Sequence, residues 1–115
     1  MLSLGKQIAE RRNKQRRTIE ASGWGDDDAP LIIYAGPITA GDINKIQRKH
    51  KNFLNDMTID GMVDLIIMKA EDVDGKRLFT LEDKVYLMAE EVSIIADIAG
   101  KMFGDNDSIE EAEKN

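Results

Sequence analysis

Glu71–Phe103 reads EDVDGKRLFTLEDKVYLMAEEVSIIADIAGKMF, and the fold turns on how this stretch is read. It opens on a tight polar turn at Asp72–Gly75, passes through Leu78 and Phe79, and starts a helix at Thr80. Thr80 and Asp83 stand at the T-x-x-D spacing that satisfies free N–H groups in a first helical turn. From there an apolar stripe runs through Leu81, Val85, Met88, Val92, Ile95, Ala99 and Met102. Its alternating intervals of four and three define one face of a helix or of a helix pair, with a break expected near Ala89–Glu91 if there are two. Ile94 and Ile98 widen that face. Gly104 is placed to end it as a C-cap.

Working outward, the chain before this stretch carries three further elements. Arg17–Trp24 reads as a strand, with Ile19, Ala21 and Gly23 on one face and Thr18, Glu20, Ser22 and Trp24 on the other. Gly25–Ala29 is turn chemistry. Pro30–Ala35 is a β-branched and aromatic strand entered through a proline. Two strands across a Gly/Asp loop predict an antiparallel hairpin at 17–35. Thr39, with Asp42 three residues on, caps a helix whose buried face is Ile43, Ile46, His50, Phe53, Leu54 and Met57. Thr58 opens another helix, with Ile59, Met62, Val63, Ile66, Ile67 and Ala70 turned inward. The fold class is therefore α+β, mainly α: a small antiparallel β-hairpin followed by a bundle of three to four helices at 39–103. Residues 17–104 form one globular domain, flanked by a basic N-terminal arm at 1–16 and an acidic flexible tail at 105–115.

Composition limits the functional classes. The 115 residues are 42% hydrophobic and 33% charged, with net charge −6 and no cysteine. Such a chain suits one small domain without disulfides or thiolate chemistry. No apolar run approaches the roughly 20 residues that span a bilayer, and no apolar signal core begins the chain. Charge is unevenly spread. Lys6, Arg11, Arg12, Lys14, Arg16 and Arg17 crowd the first twenty residues, and Asp105, Asp107, Glu110, Glu111 and Glu113 crowd the end. The basic arm has the charge for nucleic acid but no aromatic to stack on bases, so a solvated or partner-facing arm is the preferred reading.

Chemistry-bearing motifs are few. Asp72-Val73-Asp74-Gly75 suggests a calcium loop, but with Gly75 sixth the first and twelfth positions are Ala70 and Leu81, which offer no side-chain oxygen. His50 lies on the apolar side of its helix and reads as a packing residue. Asp26, Asp27 and Asp28 read as a solvated turn. No nucleophile motif and no phosphate loop stand out, so no enzyme, metal or cofactor is expected. Trp24, Ile33 and Tyr34 on the hairpin, with Met62 and Met88 on the helices, are the expected partner-binding residues. Aromatic anchors and adaptable thioethers suit such contacts.

The middle and C-terminal pattern resembles the tail assembly chaperones of long-tailed bacteriophages and prophages. The likeness rests on Trp24 before an acidic loop, the strand Leu31-Ile32-Ile33-Tyr34, and the helix opening Pro37-Ile38-Thr39-Ala40-Gly41-Asp42. It rests further on the helix Met62–Ala70 and on Asp74-Gly75-Lys76-Arg77-Leu78-Phe79-Thr80-Leu81-Glu82-Asp83. It spans roughly residues 20–104, and its motifs are structural rather than catalytic. The resemblance implies a chaperone that holds the tape measure protein soluble and helps tail tube subunits assemble around it. It implies the host bacterial cytoplasm as the place of action and absence from the mature virion. A longer form made by ribosomal frameshifting is a further implied partner, and a homo-oligomer is compatible. The other reading is a small acidic adaptor or regulatory protein that binds a partner or nucleic acid through its basic arm.

Overall fold

The structure, a computed structural model, describes residues 3–13, 15–26 and 28–104. The expected acidic tail, with Leu2, Lys14 and Asp27, lies outside the described residues. The elements in chain order are α1 (Leu4–Asn13), β1 (Arg17–Asp26), β2 (Ala29–Ala35), α2 (Ala40–Lys49), α3 (Ile59–Lys69), a 3-10 turn at Leu81–Asp83, α4 (Lys84–Met88) and α5 (Val92–Phe103). The fold is α+β, with a hairpin followed by four helices.

β1 and β2 pair antiparallel, with Ile19 opposite Ile33 and Ala21 opposite Leu31. Alternation sends Ile19, Ala21, Ile33 and Ala35 into the core. Glu71 adds a one-residue third rung on the free edge of β2, exchanging both backbone bonds with Tyr34 at 2.8 and 2.9 Å. Between Ala21 and Asp26, β1 advances five residues while β2 advances only two. A slip by an odd number reverses the faces. Trp24, expected on the face opposite Ile19 and Ala21, is for this reason half-buried and packs against the same core.

Helix starts follow the sequence closely. Thr39 and Asp42 form a reciprocal capping box, and Thr58 Oγ1 accepts from the Gly61 N–H at 3.0 Å. At Thr80 the Asp83 carboxylate accepts from the Thr80 N–H at 2.8 Å. The Asp72 carboxylate accepts from the Asp74 and Lys76 N–H groups, and Gly75 supplies a φ of 86°. These bonds close the Asp72–Gly75 turn as an Asx-type loop. Gly104 ends α5 in the left-handed conformation, as a C-cap requires.

Two helices differ from expectation. α2 ends at Lys49, because Asn52 takes a φ of 60° and its carbonyl accepts from Asn55 and Asp56. Phe53 is still fully buried, but Leu54 and Met57 are exposed. The apolar stripe from Leu81 divides into two unlike halves. The α5 half (Ile95, Ile98, Ala99, Met102) is buried, whereas Leu81, Val85, Met88 and Val92 are exposed and Leu87 is the one buried residue of α4. The chain breaks at Ala89–Glu91, so one sequence register serves two helices of different burial.

α3 is the central element. It packs on α5, α4 and α2, while α5 packs on β1. Val63, Ile66 and Ile67 join the main core with the hairpin and α5. Leu65 joins Ile46 and Phe53 in a second, smaller core lined by Ile38, Ile43, Met68 and Phe103. Each fully buried side chain of this size contributes roughly 1.5–3 kcal/mol.

Candidate partner-binding surface

Successive helical residues turn by about 100°. On the Leu81–Met88 turns this places Lys84 and Leu87 inward, Leu81, Val85 and Met88 along one flank, and Glu82 and Tyr86 outward. The burial agrees. Leu87 is buried, while Leu81, Val85, Tyr86, Met88 and Val92 are 45% to 75% exposed. These five large apolar side chains fall within twelve residues. Scattered exposed apolar residues are ordinary, but a run of them marks an interaction surface. At its Leu81 end the flank borders a groove of about 380 Å³ floored by Ile46, Ile67 and Met68, with Lys45 and Arg77 at its rim.

The Leu81–Gly100 stretch exposes mainly acidic charge because its one cation is withdrawn, while Lys45 and Arg77 border it at the Leu81 end. Between Leu81 and Gly100 the charged residues are Glu82, Asp83, Lys84, Glu90, Glu91 and Asp97. Lys84 reaches inward, with Nζ 2.6 Å from Asp60 Oδ1 and 2.9 Å from Asp64 Oδ1. Asp64 also receives the His50 Nε2 at 2.6 Å on Oδ2, with Lys49 3.4 Å away. Burial acts to raise the Asp64 pKa, but the His50 hydrogen bond and the Lys84 and Lys49 charges outweigh it and hold it below the ordinary 3.8. Burial likewise disfavours the Lys84 charge, and its carboxylate partners overcome this and raise its pKa. An ionised Asp64 only accepts, so Nε2 of His50 is the protonated nitrogen. Asp64 Oδ1 makes no hydrogen bond of good geometry, and its contact with Lys84 is ionic.

His50, Asp60 and Asp64 present ligand atoms within 4.8 Å of one another. The Lys84 ammonium lies between these two carboxylates and docks α4 on α3. His50, read as a packing residue, is the hydrogen-bonded member of the cluster. Helical periodicity carried no sign of it, because its partners Asp60 and Asp64 stand on a different helix, ten and fourteen residues on.

The five residues expected to bind a partner are not brought into one surface. Ile33 is completely buried and belongs to the core, which corrects its reading as a contact residue. Trp24 donates from Nε1 to Glu90 Oε2 at 2.8 Å and meets Phe79 edge-on at 5.7 Å. Tyr34 lies under the Arg16 guanidinium, 4.9 Å from its ring centroid. Met62 is half-buried against the core, and Met88 stands in the exposed apolar flank. Arg16 is itself anchored, donating to the carbonyls of Val73 at 3.1 Å and Asp72 at 2.6 Å. Arg17 donates to the Met102 carbonyl at 3.2 Å and ties β1 to the end of α5. Leu81, Val85 and Val92 are surface residues that sequence periodicity had not separated from the core.

Comparison with known protein families, curated proteins and solved structures returned no match. Among the described residues no helix is long and apolar enough to cross a membrane.

Proposed function

We propose that this chain is an assembly chaperone that shields an aggregation-prone helical protein, namely the tape measure protein of a long-tailed phage or prophage. The observation that carries the reading is the exposed apolar flank Leu81–Val85–Met88 on a chain of net charge −6. An apolar strip of helical spacing is the shape that receives an amphipathic helix. Net negative charge keeps a complex dispersed. Met88 and Tyr86 supply adaptable and amphipathic contact to varied client side chains. The sequence resemblance supplies the client's identity, and with it the tail tube protein and a longer frameshifted form as further partners. It places the activity in the host bacterial cytoplasm, outside the finished virion.

The test is co-expression with the tape measure protein from the same genome, followed by solubility and pull-down assays. The expected outcome is a soluble client that co-purifies, and loss of both with Val85→Ser/Met88→Ser. A client that stays insoluble with both the short and the longer form overturns the reading.

The adaptor reading keeps one supporting observation. Every described residue of α1 from Leu4 to Arg12 is exposed, including Lys6, Arg11 and Arg12. It predicts DNA affinity that falls steeply with salt.

A further inference from the structure

The groove at the Leu81 end of the flank differs in charge from the chain as a whole. Ile46 of α2 and Ile67 of α3 are buried in its floor with Met68 beside them, and Leu81 stands 75% exposed on its wall. Lys45 and Lys49 line it from α2, and Arg77 lines it from the segment that leads into Leu81. Three cations thus meet at one groove on a chain of net charge −6. Asp64 is the one carboxylate lining it, and that group is committed to Lys84, His50 and Lys49. Lys49 therefore has a counter-charge, at 3.4 Å. Lys45 and Arg77 are exposed, and among the described residues their side chains make no ion pair or hydrogen bond.

An apolar floor with unpaired cations at its rim suits a hydrocarbon side chain and a carboxylate together. Residues three or four apart share one face of a helix, so a single helical turn can deliver both. The flank Leu81–Val85–Met88 runs out from the same groove with the spacing that receives a helix. Net negative charge on the chain repels an acidic partner at long range, so a carboxylate is drawn only by cations close to it. Charges at the rim of a contact set orientation and register more than affinity.

We infer that the helix received by the flank carries an acidic residue at one end of its apolar face, held by Lys45 and Arg77, with an apolar side chain of the same turn lying over Ile46, Ile67 and Met68. The contact fixes which way the helix lies along the flank. The inference rests on the reading that the flank binds a helix, and it specifies the chemistry of that helix.

The test uses two labelled helical peptides that share leucines at i, i+4 and i+7. One carries a pair of glutamates in the turn before the first leucine, and its twin carries glutamines there. Fluorescence anisotropy with the full chain measures both dissociation constants. The glutamate peptide is expected to bind about three-fold tighter or more, with the gap closing as salt is raised. Lys45→Glu/Arg77→Glu is expected to reverse that order. Arg48→Glu/Lys51→Glu makes the same change of net charge at exposed positions outside the groove and is expected to keep it. Circular dichroism checks that both variants stay folded. Equal binding of the twins overturns the inference, as does a preference that survives Lys45→Glu/Arg77→Glu or is lost equally in both variants. If binding in those cases is still abolished by Val85→Ser/Met88→Ser, the flank remains a helix site and only its charge reading falls. Binding of neither peptide also overturns the inference, and the co-expression assay then decides the chaperone reading by itself.

Discussion

At the residue scale, Gly61 and Asp64 fix how α3 meets its neighbours. A Cβ on Gly61 would lie 2.6–2.7 Å from ring carbons of Phe53, which is fully buried and has little room to retreat. Gly61→Ala is expected to destabilise by about 1–3 kcal/mol through overpacking, read as a lowered urea midpoint with unchanged slope. Asp64 carries the opposite kind of constraint, a charge that three basic groups depend on. Asp64→Ala is expected to cost about 1–3 kcal/mol, because the half-buried His50 Nε2–H loses its acceptor and Lys84 keeps only Asp60. The same group sets an acid limit. Its folded pKa lies below 3.8, as does that of Asp42, where burial opposes but the Thr39 backbone and Lys69 prevail. A depressed carboxylate stabilises the fold above its unfolded pKa, and that stability drains as pH falls through the folded value. Urea titrations are therefore expected to show stability falling from about pH 4 downward, with a shallower fall in the Asp64→Ala variant. An equal fall in that variant would remove Asp64 from the account.

At the element scale, α4 is a short helix whose inner and outer residues have opposite jobs. Leu87→Ala empties a buried site and is expected to cost about 2–5 kcal/mol. Val85→Ser/Met88→Ser changes only exposed positions and is expected to stay within about 1 kcal/mol of wild type. Thermal unfolding of the two variants checks the contrast, and equal losses would mean that the flank belongs to the core. This is also where the sequence was least legible. A 3–4 periodicity reports helix, but it does not report which way a helix faces after a break. Leu81, Val85 and Met88 stay in register with Val92, Ile95, Ala99 and Met102 across Ala89–Glu91, although only the last three are buried. The adjacent acids Glu90 and Glu91 were the available sign of a break. The caps at Thr39 and Thr58, the turn at Asp72–Gly75 and the C-cap at Gly104 were legible because each depends on neighbours within a few residues. Trp24 was misplaced for the converse reason: a register slip in the hairpin is a property of two strands together. The His50–Asp64–Lys84 network was hidden likewise, since ion pairs between distant helices leave no periodic trace.

At the scale of the whole molecule, the chain sorts its charge and its apolar surface into separate regions. The hairpin, α3 and α5 enclose the main core, and α2 and the Phe53 turn enclose the second. α1 stands outside both, fully exposed and basic, and α4 presents the acidic apolar flank. A fold that spends its buried area on α3 and α5 leaves α4 available for binding. The central claim is that partners meet this flank rather than the hairpin. Hydrogen–deuterium exchange of the chain, alone and with the co-expressed tape measure protein, tests it most directly. The account predicts slowed exchange concentrated at residues 81–92, with the hairpin at 17–35 unchanged. Protection of the hairpin with residues 81–92 exchanging as in the free chain would contradict it.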